Sequence, residues 1–233
     1  MTTLGLIGAG HIGGTIARLA TAAGIEVVVA NSRGPDTLQE LVAELGEHAR
    51  AAYAAEAARD ADLVVVSIPL RSITNLPKAE LAGKTVVDTG NYYPQRDGDI
   101  DELDNGSAIT SEMLARQLRG AHVVRAFNNI FWGHLGVLAR PHGDGERSAL
   151  PIAGDDATAK QQVTELLDAL GYDAVDAGPL GEGWRFERDT PAYTEPYHSG
   201  AGLLAAATAR AADAETIRAR LAEAVPPAQR AAR

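Results

Sequence analysis

Cysteine is absent from all 233 residues. That excludes disulfides, thiolate nucleophiles and cysteine-ligated metals or clusters. Lysine is nearly absent, with Lys78, Lys84 and Lys160 as the full set, and no tyrosine stands four residues before one, so no Tyr-x-x-x-Lys proton-transfer pair exists. Positive charge is outweighed, 21 Lys and Arg against 31 Asp and Glu for a net charge of −10. This weighs against a nucleic-acid backbone or an anionic membrane as partner. No apolar run approaches the roughly 20 residues of a membrane-spanning helix, and Met1-Thr2-Thr3 enters an apolar stretch without a basic leader. Together these absences predict a soluble, cytoplasmic protein acting on a small molecule. The length suits one large α/β domain with a modest appendage.

What the chain does have is concentrated at its start. Leu4-Gly5-Leu6-Ile7 leads into Gly8-Ala9-Gly10-His11-Ile12-Gly13, and a helical pattern comes next. Strand, glycine turn and helix in that order form the dinucleotide fingerprint of a Rossmann domain. Gly8 permits the turn, Gly10 lets backbone approach a pyrophosphate, and Gly13 lets helix pack closely on strand. The second strand ends at Ala30 and runs into Asn31-Ser32-Arg33. An NAD-preferring domain carries a carboxylate there for the adenosine ribose. Here two neutral hydrogen-bonding residues and a guanidinium stand instead, a set that suits a 2′-phosphate and predicts NADP(H) as cofactor.

Apolar runs predict strands at Thr3–Ile7, Glu26–Ala30, Leu63–Ile68, Thr85–Asp88, Val123–Phe127, Ser148–Ala153 and Ala174–Asp176. Helical spacing falls at Ile12–Ala23, Thr37–Leu45, Ser111–Gln117 and Ala157–Leu170, the last with Asp156 as its N-cap. Several strands are unbroken Val/Ile/Leu runs, as for parallel strands buried on both faces. The expected fold is α/β, a Rossmann-type doubly wound and mainly parallel sheet, with residues 1–180 as the NADP-binding domain. Residues 181–233 form the appendage: an aromatic loop with Trp184, Phe186, Tyr193 and Tyr197, then an alanine-rich helix over Leu203–Ala224. The apolar side of that helix suggests a homo-oligomer, a dimer in the simplest case.

Ligands of open α/β sheets lie beyond the C-terminal strand ends. Besides the glycine loop and Asn31–Arg33, this selects Ser67-Ile68-Pro69-Leu70-Arg71, Gly90-Asn91-Tyr92-Tyr93-Pro94, and Asn128-Asn129-Ile130-Phe131-Trp132. The two asparagines end a buried strand and need partners, either a ligand amide or a neighbouring turn. Proton donors are few. His11 acts through its backbone, His134 faces either the nicotinamide or solvent, and Tyr193 sits in the aromatic loop. Asp155 and Asp156 read as a strand end and a cap, and no metal site is expected.

These motifs resemble the NADPH-dependent 8-hydroxy-5-deazaflavin reductases. The likeness runs through residues 6–14, Ala30–Pro35, Ser67-Ile68-Pro69, Val124–Asn129 and Ala153–Asp156, and covers roughly residues 2–180. It implies that Gly10, His11 and Ile12 hold the pyrophosphate and that Ser32 and Arg33 bind the 2′-phosphate. Ile68, Pro69 and Ile130 would flank the nicotinamide. Gly90–Arg96 and the tail from Trp184 to Tyr197 are similar to a bacterial branch of that family, for which the acceptor does not carry over. The sequence leaves three functions open: a hydride transfer between NADPH and a deazaflavin- or flavin-like acceptor, a reductase of a small carbonyl or imine using His134 or Tyr193, and a non-catalytic NADP(H) sensor.

Overall fold

The computed structural model describes residues 3–200 and 204–226. An eight-stranded sheet runs in the order β3-β2-β1-β4-β5-β6-β7-β8. The strands are β1 (Thr3–Ile7), β2 (Glu26–Ala30), β3 (Ala49–Ala51), β4 (Leu63–Val66), β5 (Thr85–Asp88), β6 (His122–Arg125), β7 (Ala149–Gly154) and β8 (Asp173–Asp176). The first six pair in parallel. Their order is that of a dinucleotide-binding sheet, with its crevice where the winding reverses beside β1. β7 enters antiparallel to β6, and β8 runs parallel to β7.

The helices are α1 (His11–Ala22), α2 (Gln39–Leu45), α3 (Ala54–Asp60), α4 (Lys78–Leu81), α5 (Pro94–Asp97), α6 (Asp101–Asp104), α7 (Thr110–Gln117), α8 (Trp132–Val137), α9 (Ala157–Ala169) and α10 (Ala214–Ala222). One buried cluster joins Leu4, Leu6 and Val65 of the sheet to Ile16 of α1 and to Val163 and Leu167 of α9. A second, on the opposite face, packs Val64, Val66 and Val86 against Leu81 and Leu114. Alternate residues of β4 thus point into different cores, which is why its sequence is apolar throughout.

Besides the short helices α4, α5, α6 and α8, two elements escaped the sequence reading. β3 is Ala-Arg-Ala, three edge residues without a β-branched side chain, and α3 is too short and alanine-rich for a clear apolar period. A third differs: the alanine-rich helix expected over Leu203–Ala224 begins only at Ala214. Leu203 lies outside the described residues. The stretch before Ala214 pairs as extended chain, with Ser199 N–H bonded to Thr208 O, Arg210 N–H to Tyr197 O and Ala149 N–H to Ala212 O. Alanine's helix propensity is a weak preference that such pairing overrides. Asp213 then caps α10 by accepting from Thr216 N at 2.8 Å, just as Asp156 caps α9 through Ala159 N at 2.8 Å. Phe186, Ala192, Tyr197, Ile217 and Leu221 belong to the same core cluster as β1, so residues beyond 180 add to the first core.

Candidate functional site

The β1–α1 turn is built from glycine for distinct reasons. Gly8 has φ +115°, and a Cβ there would stand 2.1 Å from Ser67 O. A Cβ on Gly13 would stand 1.9 Å from Gly8 O, so the first turn of α1 can lie on the loop only without one. At Gly10 a Cβ would meet nothing within 4 Å. That bare backbone caps α1, whose first N–H groups have no intrahelical partner and carry the positive end of the helix dipole. The loop is a cradle open on the side an anion would approach.

A cavity of about 1140 Å³ opens in front of it. Of the residues expected to hold a cofactor, Gly8, Gly10, His11, Asn31, Ser32, Arg33, Ser67, Ile68 and Pro69 line it. Asn31 shapes the β2 end: its Oδ1 accepts from Arg33 N at 2.9 Å, and its Nδ2 donates to Thr37 Oγ1 at 2.9 Å. Arg33 is exposed and lines the cavity, and no carboxylate pairs with it among the described residues. A guanidinium at the ribose end with no acid beside it fits a phosphorylated ribose.

The remaining expected residues lie elsewhere. Gly13 is buried beneath the loop and Ile12 packs against the core. Ile130 is 4% exposed, belongs to the core cluster and is not among the residues lining the cavity. Asn128 and Asn129 find protein partners. Asn128 Nδ2 donates to Phe186 O at 2.8 Å, and Asn129 Nδ2 to Ala192 O and Tyr197 Oη. Asn91 donates to Asn128 O at 2.7 Å and borders a separate cleft of about 330 Å³. The asparagines therefore pin the C-terminal segment to the sheet.

Neither expected proton donor reaches the cavity. His134 is fully buried, its Nε2 donating to Ala205 O at 2.9 Å, so the helix-surface position is also ruled out. Burial depresses its pKa, the Ala205 carbonyl opposes that shift, and His198, stacked on it at 5.8 Å, adds to it. Tyr193 is paired with Tyr93, oxygen to oxygen at 3.0 Å, and burial pushes its phenol well above the usual range. Asp155 accepts from Leu180 N at 2.9 Å.

Other cavity residues were not legible from sequence. Arg18 and Glu44 form a two-pronged pair at 2.6 and 2.8 Å between α1 and α2, and both line the cavity with Glu40. The mutual hydrogen bond raises the pKa of Arg18 and lowers that of Glu44. Trp132, Gly136 and Val137 of α8 and Ala206 form a wall of the same cavity. Trp132 is the exception, since it ends the segment Asn128–Trp132 that the sequence places in the crevice. Ala206 carried no sequence signal.

Behind the strand ends lies a buried polar knot. Arg125 is 0% exposed; it contacts Asp88 Oδ2 at 3.4 Å and Ser111 Oγ at 2.7 Å, and donates to Thr110 Oγ1. Glu187 lies 3.4 Å away. Burial pushes the Asp88 carboxyl up, against the pull of Arg125, the Ser111 hydroxyl and the Gly90 N–H. The knot ties β5, β6 and α7 to the C-terminal segment.

Comparison with known proteins agrees with this geometry. Residues 3–92, from β1 to just past β5, match the family model described as NADP oxidoreductase, coenzyme F420-dependent. The hypothetical protein SMa0349 of Sinorhizobium meliloti superposes with a TM-score of 0.72 at 32% identity, over 83% of this chain and 93% of that one. The family match thus covers the first five strands, and its description is that of NADP oxidoreductases. A structure from Arthrobacter sp. FB24, provisionally described as an F420-dependent NADP reductase, superposes with a TM-score of 0.64 at 28% identity over 77% and 85% of the two chains. Metalloreductase STEAP3 of Rattus norvegicus is 29% identical over 208 residues, which is 86% of this chain and 40% of that protein. The chain spans about two-fifths of the length of the curated relatives it matches. Among the described residues no helix is long and apolar enough to cross a membrane.

Proposed function

We propose that this protein is an NADP oxidoreductase that transfers hydride between NADPH and a planar deazaflavin- or flavin-like acceptor. One observation carries the reading: a single cavity joins Arg33, the open Gly10 loop and the aromatic wall at Trp132. The bound cofactor supplies the hydride. NADPH, acceptor and a solvent proton become NADP⁺ and the two-electron-reduced acceptor.

The residues of the chain bind and orient. The α1 N-terminus and Gly10 hold the pyrophosphate, and Arg33 with Ser32 holds the 2′-phosphate. Ser67, Ile68 and Pro69 form the floor toward which the nicotinamide half extends. Stacked on Trp132 at the cavity is one titratable side chain, that of His11. A reaction that needs aligned rings at short range and little side-chain acid–base help suits such a wall. The carbonyl or imine reading loses support because His134 and Tyr193, its proton donors, are engaged outside the cavity.

The test is NADPH oxidation, monitored at its own absorbance, with riboflavin, FMN and an 8-hydroxy-5-deazaflavin in parallel. Turnover of one of these above the uncatalysed rate is expected. Silence with all three, while NADPH still binds, would leave the sensing role as the better account.

A further inference from the structure

Of the two tryptophans in the chain, Trp184 lies in a 3-10 turn (Leu180–Phe186) beside Arg185. Trp132 opens α8 and lines the large cavity. Its ring is braced: His11 lies parallel to it at 4.7 Å and 13°, and Phe131 leans on it at 5.1 Å and 52°. Phe131 can lie there because residue 133 is glycine; a Cβ would stand 2.6 Å from its ring. Yet 41% of Trp132 remains exposed. A large aromatic held rigid by two neighbouring rings and left open to a cavity is a stacking surface in waiting.

Its place along the sheet says what would stack. From the β2 end at Arg33 the cavity passes the β1 loop and reaches Ser67–Pro69 after β4. A dinucleotide with its 2′-phosphate at Arg33 and its pyrophosphate at Gly10 extends its nicotinamide away from β2. Trp132, which comes after β6, stands against His11 at the start of α1 and borders the same cavity. The wall around it is Gly133, Gly136, Val137 and Ala206, without a carboxylate or an ammonium.

We propose that Trp132, braced by His11, is the platform on which the planar fused-ring acceptor stacks beside the nicotinamide. The proposal rests on the hydride-transfer reading and assigns the acceptor site to α8, away from the buried Asn128. It commits to a planar fused tricyclic ring. Flavin and deazaflavin share that ring, and the experiment separates them.

The test is calorimetric titration of NADP⁺-saturated protein with riboflavin and, separately, with an 8-hydroxy-5-deazaflavin. Wild type is compared with Trp132→Phe, Trp132→Leu and Trp132→Met. At least one ring should bind wild type, and both aliphatic variants should weaken it about tenfold, the scale of one lost ring stack. Trp132→Phe should stay within about threefold, because it keeps an aromatic face. NADP⁺ affinity, which also reports folding of each variant, should not move. Equal ring affinity in wild type and aliphatic variants overturns the platform, as does parallel loss of NADP⁺ or failure of either ring to bind wild type. The two readings fail separately. Wild-type turnover with unaltered ring binding by Trp132→Leu sinks only the platform, whereas tryptophan-dependent ring binding without NADPH oxidation sinks only the hydride transfer.

Discussion

Arg33 shows how one residue can set cofactor choice. It stands where an NAD-preferring chain has a carboxylate, it is exposed, and no acid among the described residues competes for it. Arg33→Ala should weaken NADPH binding by about 1.5–3 kcal/mol, the scale of a hydrogen bond to a charged group. NADH binding should barely change, as equilibrium titration of both cofactors would show. Equal losses would mean that the guanidinium does not meet the 2′-phosphate. The glycine roles were equally legible, because each arises from local geometry: the contacts a Cβ would make at Gly8 and Gly13 explain two of them, and the open space at Gly10 the third. Ile130, Asn91 and Asn128 were not legible. A sequence shows that a residue comes after a strand, but not which way the chain then turns. At Phe127 the backbone takes φ +61°, a left-handed step at a buried phenylalanine. Asn128, Asn129 and Ile130 are thereby carried into the core and away from the cavity.

At the scale of elements, the contact between α8 and the C-terminal strap decides the cavity's far wall. His134 of α8 donates through Nε2 to Ala205, one residue before the cavity-lining Ala206. A carbonyl can only accept, so the proton sits on Nε2 and Nδ1 is left buried without a partner. A second proton would place an unpaired charge beside His198, which is why burial lowers the pKa of His134. The unfolded chain, titrating near pH 6.5, then takes up that proton first as pH falls. The contribution of His134 to stability is complete above that pH and declines below it. Urea unfolding of wild type should show stability falling as pH drops below about 6.5. His134→Gln should flatten that slope, and an identical slope in both proteins would remove His134 as its source. None of this was legible in sequence, where His134 was one polar residue in a short apolar helix. The parallel strands were, because burial on both faces leaves an uninterrupted apolar run, whereas β3 left no such mark.

On the scale of the whole molecule, the cavity draws its walls from both ends of the chain: the β1 loop from the first dozen residues and Ala206 from the last thirty. A ligand filling it bridges these two segments, so occupancy should register as global stability. At a hundredfold excess over its dissociation constant NADPH should add about 2.7 kcal/mol, which for 150–250 residues is about 2–4 °C per kcal/mol in Tm. Differential scanning calorimetry should show that rise with NADPH, and a much smaller one with NADH at the same concentration. A melting temperature indifferent to NADPH would mean that the cavity does not hold it.

The reversal at β7 has an effect that reaches the far end of the molecule. The first six strands deliver their ends to the ligand side; β7 starts on that side and descends, and β8 descends with it, so at Asp176 the chain stands on the wrong side of its own sheet. It has to climb back. The route is visible in order: Gly178 beside Gly154, Leu180 at Asp155, Gly183 against Arg125, Phe186 at Asn128 and Tyr197 at Ala149. The aromatic stretch is the rope of that ascent. Its bulky rings fill the seam as it rises, and its irregular backbone is anchored at each level by a residue already fixed in the sheet or at its edge. One inverted strand thus sets both the length of the segment after β8 and the side of the molecule on which it ends.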